Sequence, residues 1–88
     1  MKRSYGIINK LGLHARAAAQ FVKLASTFEA DLTVEKDGQA VNGKSIMGIM
    51  MLAAGVGSKI DLHAEGPDAE ALLDALGELI AAKFHEGQ

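Results

Sequence analysis

Residues Lys59–Glu65 restrict the possible folds of this chain more than any other segment. Apolar and polar residues alternate along it without a break, with Ile60, Leu62 and Ala64 set against Asp61, His63 and Glu65. Because successive side chains of a strand point to opposite faces of a sheet, the alternation predicts a strand with one buried and one solvated face. The buried face of such a sheet needs a covering layer, so we expect helices from the rest of the chain.

Two further regions have the character of strands. Residues 3–8 contain several β-favouring residues and stop at a loop-like segment. A second alternating run over residues 31–35 is followed by Asp37 and Gly38, a pair that tolerates the positive φ of a tight turn, and then by Gln39–Asn42. We therefore predict an opening strand and a β-hairpin.

Three segments have the apolar spacing of amphipathic helices. In residues 15–26 the expected buried stripe is Ala15, Ala18, Phe21, Val22 and Ala25. In residues 45–54, with Gly55 as the expected C-terminal cap, the stripe is Ile46, Ile49, Met50 and Ala53. A last helix opens at residues 66–68 and should run to about Phe84, with the stripe Ala69, Leu72, Leu73, Leu76, Leu79, Ile80 and Phe84.

The predicted order β-α-β-β-α-β-α indicates an α+β fold in which helices cover one face of an antiparallel sheet. With 88 residues and a globular composition, the chain is expected to form a single domain over residues 1–88. It contains no cysteine, which is compatible with a reducing compartment. Because no run of about 18 apolar residues occurs, we expect a soluble, cytoplasmic protein without membrane insertion.

The charge is unevenly distributed along the chain. Residues 1–28 carry five basic residues and no acidic one, whereas the remainder carries four lysines and all 11 acidic residues. This polarity would orient an approaching acidic partner. Nucleic-acid binding fits poorly with a sequence pI of about 5.8.

Residues 12–16, where a loop becomes the first predicted helix, carry the clearest chemistry. His14 falls at or beside the N-cap, above first-turn amides that have no helical acceptor. Those amides and the positive end of the helix can hold a phosphate, and Arg16 adds further donors. A neutral imidazole also keeps one lone pair that can attack phosphorus. The same placement fits a histidine that merely caps the helix, so the pattern alone leaves both roles open.

Two motifs resemble those of the HPr family of phosphocarrier proteins. The run Gly12-Leu13-His14-Ala15-Arg16 is similar to the active-site motif of that family. Residues 42–50, Asn-Gly-Lys-Ser-Ile-Met-Gly-Ile-Met, are similar to its second, regulatory motif. The resemblance extends over nearly the whole chain and implies an open-faced β-sandwich, a four-stranded antiparallel sheet with three helices on one face.

The resemblance implies a phosphoryl carrier rather than a stand-alone catalyst, with no cofactor. His14 would be phosphorylated on Nδ1 by phospho-enzyme I of the bacterial phosphoenolpyruvate-dependent phosphotransferase system, and enzyme IIA domains of sugar transport would receive the group. Ala17 departs from the family motif, which usually has proline there. Because alanine keeps a backbone N–H that proline lacks, we expect the amides of Ala15, Arg16 and Ala17 to surround the phosphate.

Ser45 is first of all a suitable N-cap for the short helix. The resemblance adds a regulatory role, because the family serine can be phosphorylated by HPr kinase/phosphorylase. Met47 and Met51 lie on a different side of that helix from its apolar stripe, so we expect an exposed surface for docking enzyme I and enzyme IIA, with filling of the core as the alternative. Arg16 and Lys23 would extend this surface with positive charge.

Two other functions stay open. A regulatory binding module switched at Ser45, or a nitrogen-branch phosphocarrier with its own donor, would share these motifs. The remaining histidines are expected on the solvated sheet face, at His63, and in a fraying tail, at His85. These histidines show no metal-ligand spacing, so no metal site is predicted. We also expect the protein to be a monomer.

Overall fold

The computed structural model describes residues 1–86, which contain the seven predicted elements in the predicted order. The strands are β1 (Lys2–Gly6), β2 (Asp31–Lys36), β3 (Gln39–Asn42) and β4 (Lys59–Glu65). The helices are α1 (Ala15–Ala25), α2 (Ile46–Met51) and α3 (Ala69–Ala81), and a left-handed turn over Lys83–His85 follows α3. Within the described range, no helix is both long enough and apolar enough to traverse a bilayer.

The four strands form one antiparallel sheet in the order β1-β4-β2-β3, so β4 lies in its interior. Ile60 pairs with Tyr5 on one side of β4, and Leu62 pairs with Val34 on the other. The alternation in β4 is confirmed, because its apolar residues are buried and its polar residues lie on the opposite, solvated face. The helices pack on one another and on the buried face, which confirms the open-faced α+β architecture.

The β2–β3 hairpin is also confirmed, with Asp37 at φ 50° and Gly38 at φ 84° in its turn. The opening strand differs from the prediction, because β1 ends at Gly6 rather than continuing to residue 8. The buried Ile7 leaves the sheet: its N–H donates to Ser58 O at 2.8 Å, and its carbonyl accepts from Gly57 N at 2.8 Å. The hydrogen bonds of Ile7 thus hold the loop before β4.

The buried face of α1 is displaced slightly from the predicted one. Ala15 is exposed, so its predicted place in the stripe is wrong, and Ala17 is fully buried instead. At about 100° per residue, the buried residues share an arc of roughly 140°, and Ala15 lies just outside it. Those buried residues are Ala17, Ala18, Phe21, Val22 and Ala25.

Helix α2 is shorter than predicted, and its stripe was largely wrong. It has six residues, which is less than two turns, and Ile49 is its one buried residue. The predicted stripe residues Ile46, Met50 and Ala53 are exposed. The helix ends at a left-handed residue, Ala53 with φ 50°, and not at Gly55 as expected.

Helix α3 buries every residue of the predicted stripe from Ala69 to Ile80 but ends at Ala81, before Phe84. Phe84 is buried by the left-handed turn instead of by the helix. Asp68 occupies the N-cap position without capping the helix, because its carboxylate accepts the backbone N–H groups of Glu29 at 2.9 Å and Ala30 at 2.8 Å. These bonds tie the start of α3 to the segment before β2.

Candidate functional site

His14 is the N-cap residue of α1, with extended backbone angles of φ −71° and ψ 178°. Its carbonyl accepts the first helical hydrogen bond, from Ala18 N at 2.8 Å. Its side chain makes no capping hydrogen bond, unlike the usual short polar caps. A side-chain cap therefore does not account for a histidine at this position.

The first three residues of α1 are Ala15, Arg16 and Ala17. Their backbone N–H groups have no carbonyl acceptor one turn earlier in the helix. Ala15 and the Arg16 side chain are exposed, whereas the side chain of Ala17 is fully buried. Burial of that methyl group anchors the first turn in the core. The positive end of α1 thus lies beside the imidazole, with a cationic side chain in the same turn.

The imidazole contacts a residue that the sequence did not single out. His14 Nε2 lies 2.7 Å from Glu86 Oε1, and Asn9 Nδ2 donates to the same oxygen at 2.8 Å. The side chain of His14 is 28% exposed and that of Glu86 is 10% exposed. The predicted fraying of the tail is therefore wrong up to Glu86, since Phe84 is also buried.

Glu86 is held as a carboxylate. Burial pushes the pKa of its carboxyl upward, but hydrogen bonds from Asn9 and His14, attraction to His14 and the nearby Leu11 amide together leave the pKa below its usual value. The group is thus ionised at neutral pH. It brings a negative charge to an otherwise basic N-terminal region.

The loop before His14 is locked to the loop after α2. Leu13 N donates to Ala54 O at 2.8 Å, and Asn9 Nδ2 donates to Gly12 O at 2.8 Å. Gly12 has φ 64°, and a Cβ there would lie 2.5 Å from Ala54 O. Only glycine fits both requirements, and its packing against this carbonyl sets the approach of the chain to His14.

An exposed apolar surface lies on α2, which packs against α1. Met47 is 75% exposed and Met51 is 64% exposed, so their predicted exposure is confirmed and the core-filling alternative is wrong. Arg16 and Lys23 are exposed on α1, as expected. The structure adds exposed apolar residues that periodicity had assigned to the core or to loops, namely Leu11, Ile46, Met50 and Val56.

Ser45 is the N-cap of α2, as predicted. Its Oγ accepts the N–H of Gly48 at 3.0 Å. The preceding turn is held by Lys44, whose backbone N–H donates to Asn42 Oδ1 at 2.9 Å and whose Nζ donates to Phe28 O at 2.8 Å. The second motif therefore forms an ordered turn and helix start.

The other two histidines lie away from this arrangement. His63 is on the solvated sheet face with Nε2 3.7 Å from Glu35 Oε1, and His85 is exposed in the left-handed turn. Within residues 1–86, no group of three or more His, Asp or Glu side chains could hold a metal ion.

Comparison with known proteins identifies the family. The model described as "PTS HPr component phosphorylation site" matches residues 1–82. This chain belongs to the PTS HPr family. It is accordingly a phosphocarrier of the phosphotransferase system, and interaction with enzymes of that system follows from the family.

Two relatives match over nearly their whole lengths. Phosphocarrier protein HPr of Cupriavidus necator is 50% identical over 88 residues, covering 100% of this chain and 99% of the relative. Phosphocarrier protein NPr of Shewanella violacea is 44% identical over 86 residues, covering 98% and 94%. The chain is thus similar to carriers of both names.

Two solved structures have the same HPr fold. HPr-C-His of Thermoanaerobacter tengcongensis has a TM-score of 0.95 and 49% identity, covering 100% of this chain and 99% of that chain. An HPr dimer from the same organism has a TM-score of 0.79 and 52% identity, with coverage of 93% and 94%.

Proposed function

We propose that His14 takes a phosphoryl group from phospho-enzyme I and passes it to enzyme IIA domains. The observation that carries this proposal is the position of His14: it is the N-cap residue of α1, and its side chain leaves the first-turn amides uncapped. The imidazole is partly exposed, so a partner protein can reach it. The positive end of a helix then lies where a phosphate would need it.

The proposed phosphate-binding groups are the amides of Ala15, Arg16 and Ala17 together with the Arg16 guanidinium. Phosphoryl transfer depends chiefly on alignment and on stabilisation of the charged oxygens, and these groups provide both. Ala17 contributes an N–H that proline could not. A phosphorylated structure in which the Ala17 N–H pointed away from the phosphate would contradict this part of the proposal.

The proposed docking surface is formed by Met47, Met51, Arg16 and Lys23. Flexible, exposed methionines suit a carrier that must accept several partners in turn, because they adapt to different apolar surfaces. The two cations favour an acidic partner. Enzyme I and enzyme IIA would thus use one face at different times.

Ser45 is the proposed regulatory site, with HPr kinase/phosphorylase as the modifying enzyme. A phosphate on Oγ would add about two negative charges beside the docking surface. The start of α2 tolerates an anion, so the charge would alter docking more than folding. A carrier modified in this way would lose affinity for an acidic partner.

The proposal includes a cytoplasmic location, a role in sugar transport and a monomeric carrier. One similar solved structure is an HPr dimer, so sedimentation of the free chain tests the last point. The similarity to an NPr protein keeps the nitrogen branch as the second candidate. Offering enzyme I of each branch and comparing the transfer rates distinguishes the two.

The decisive experiment is incubation with enzyme I and phosphoenolpyruvate, followed by mass spectrometry and an acid-lability test. We expect one acid-labile phosphoryl group in the wild type and in His63→Ala, and none in His14→Ala. His63 is the matched control because it is a partly exposed histidine on the face of the sheet opposite the helices. Acid-stable label on Ser45 alone would instead indicate a regulatory binding module.

A further inference from the structure

The carboxylate of Glu86 lies against the imidazole of His14, although 72 positions separate the two residues. Glu86 Oε1 is 2.7 Å from His14 Nε2 and 2.8 Å from Asn9 Nδ2. The nearby backbone N–H of Leu11 also lowers the pKa of this carboxyl. The His14 imidazole and the loop before His14 are therefore both in contact with the Glu86 side chain.

The approach of Glu86 depends on a costly backbone turn. Lys83, Phe84 and His85 are three successive non-glycine residues at φ 55°, 54° and 59°. Left-handed angles are unfavourable for such residues and persist where surrounding contacts impose them. Phe84 provides such a contact, because its side chain is 1% exposed. The turn directs the chain back toward the start of α1.

The contact determines which ring nitrogen carries hydrogen. An ionised carboxylate can only accept hydrogen bonds, so Nε2 must be the donor at this distance. A neutral imidazole with hydrogen on Nε2 has its lone pair on Nδ1. A carboxylate that binds one nitrogen of a histidine commonly sets the tautomer and the orientation of the ring in this way.

We propose that Glu86 is a positioning residue that holds His14 in the tautomer with its lone pair on Nδ1 and so directs the phosphoryl group to that nitrogen. The inference rests on the proposed function, in which His14 is the acceptor. The Nδ1 lone pair forms the new N–P bond while the bond between phosphorus and the donor breaks, and that electron pair leaves with the donor. Nε2 keeps its hydrogen throughout, and the carboxylate faces the positive charge that the ring acquires.

Asn9 orients the carboxylate. It is fully buried, and its Nδ2 donates both to Gly12 O and to Glu86 Oε1. The same side chain thus connects the loop that positions His14 with the oxygen that accepts from its ring. Because Asn9 donates to this oxygen, an amide at residue 86 would also present its oxygen, and not its NH₂ group, to the ring.

The test uses phosphoramidate, a small phosphoryl donor that needs no enzyme, and NMR of the product to identify the phosphorylated nitrogen. In the wild type we expect the Nδ1 product. In Glu86→Ala the Nε2 product should rise at least about tenfold, as expected for loss of a hydrogen bond to a charged group. The matched control is Glu78→Ala, which removes an exposed carboxylate from α3 and should behave as the wild type. An unchanged product ratio in Glu86→Ala would overturn the inference.

A second variant distinguishes the effect of losing the hydrogen bond from the effect of disrupting the structure around residue 86. Glu86→Gln keeps an acceptor oxygen, so it should retain the Nδ1 product, and a ratio like that of Glu86→Ala would contradict the hydrogen-bond argument. The proposed function is judged separately, by labelling of the wild type with enzyme I. A wild type that enzyme I cannot label refutes the carrier proposal, whereas a normally labelled wild type with an unaltered Glu86→Ala ratio refutes only the role of Glu86.

Discussion

Replacing Phe84 by alanine tests whether this side chain anchors the tail that brings Glu86 to His14. Phe84 is 1% exposed, and removing a buried phenylalanine side chain typically costs about 3–5 kcal/mol of folding free energy. The tail can respond by leaving its left-handed turn, which would relieve roughly 1 kcal/mol for each of three residues. Subtracting this relief of about 3 kcal/mol leaves an expected net loss of only about 0–2 kcal/mol, with the tail released.

The assay is urea unfolding, combined with nitrogen NMR of the His14 ring. The released tail should appear as loss of the Nε2–Glu86 hydrogen bond in the folded protein. Leu79→Ala is the matched control, because Leu79 is a buried residue of α3 that precedes the turn. It should cost about 2–5 kcal/mol and leave the ring contact intact.

Two results would refute this reasoning. A loss of about 4 kcal/mol or more with the Nε2–Glu86 bond intact would mean that the turn is not strained and does not depend on Phe84 for its conformation. An unchanged unfolding free energy with the Nε2–Glu86 bond intact would mean that burial of Phe84 neither stabilises the fold nor anchors the tail.

Met47→Glu should leave the unfolding free energy within about 0.5 kcal/mol of the wild type, because the side chain is 75% exposed, yet raise the KM for transfer from enzyme I about tenfold. Thr33→Glu, on the solvated sheet face, is its control, and equal kinetics in both would remove the proposed docking surface. Ser45→Ala should lose about 1 kcal/mol of stability by urea unfolding through loss of the N-cap, and no change would contradict the capping role. Hydrogen bonds from the Glu29 and Ala30 amides lower the pKa of Asp68, so Asp68→Asn should be less stable than the wild type at neutral pH. That difference should shrink as acid protonates Asp68, and thermal melts showing a constant difference across pH would exclude this ionic contribution.

Patterns formed by residues close together in the sequence were sufficient to predict most of the fold. The alternation over Lys59–Glu65 predicted the interior strand, and Asp37 with Gly38 predicted the hairpin turn, because both depend on neighbouring residues. The predictions failed where an element is short or ends. Helix α2 has less than two turns, so tertiary contacts rather than periodicity decide which of its residues are buried, and its left-handed end falls at Ala53.

The candidate site was predicted in part. The position of His14 at the start of α1 followed from the change of pattern from loop to helix. The contact with Glu86 could not be predicted in this way, because 72 positions separate the residues and no local pattern connects them. The available signal was Phe84, the last apolar residue of the α3 stripe, whose burial holds the tail on the protein. Burial of Phe84 would imply that the residues just after it also lie against the protein.

The central claim is that the imidazole at the start of α1 carries the phosphoryl group. Phosphorus and nitrogen NMR of the wild-type protein, after exposure to enzyme I and phosphoenolpyruvate, tests it most directly. We expect a single phosphoramidate signal coupled to Nδ1 of His14, with the first-turn amide resonances of α1 displaced. A signal from another residue, or a phosphorylated His14 with those amide resonances unmoved, would contradict it.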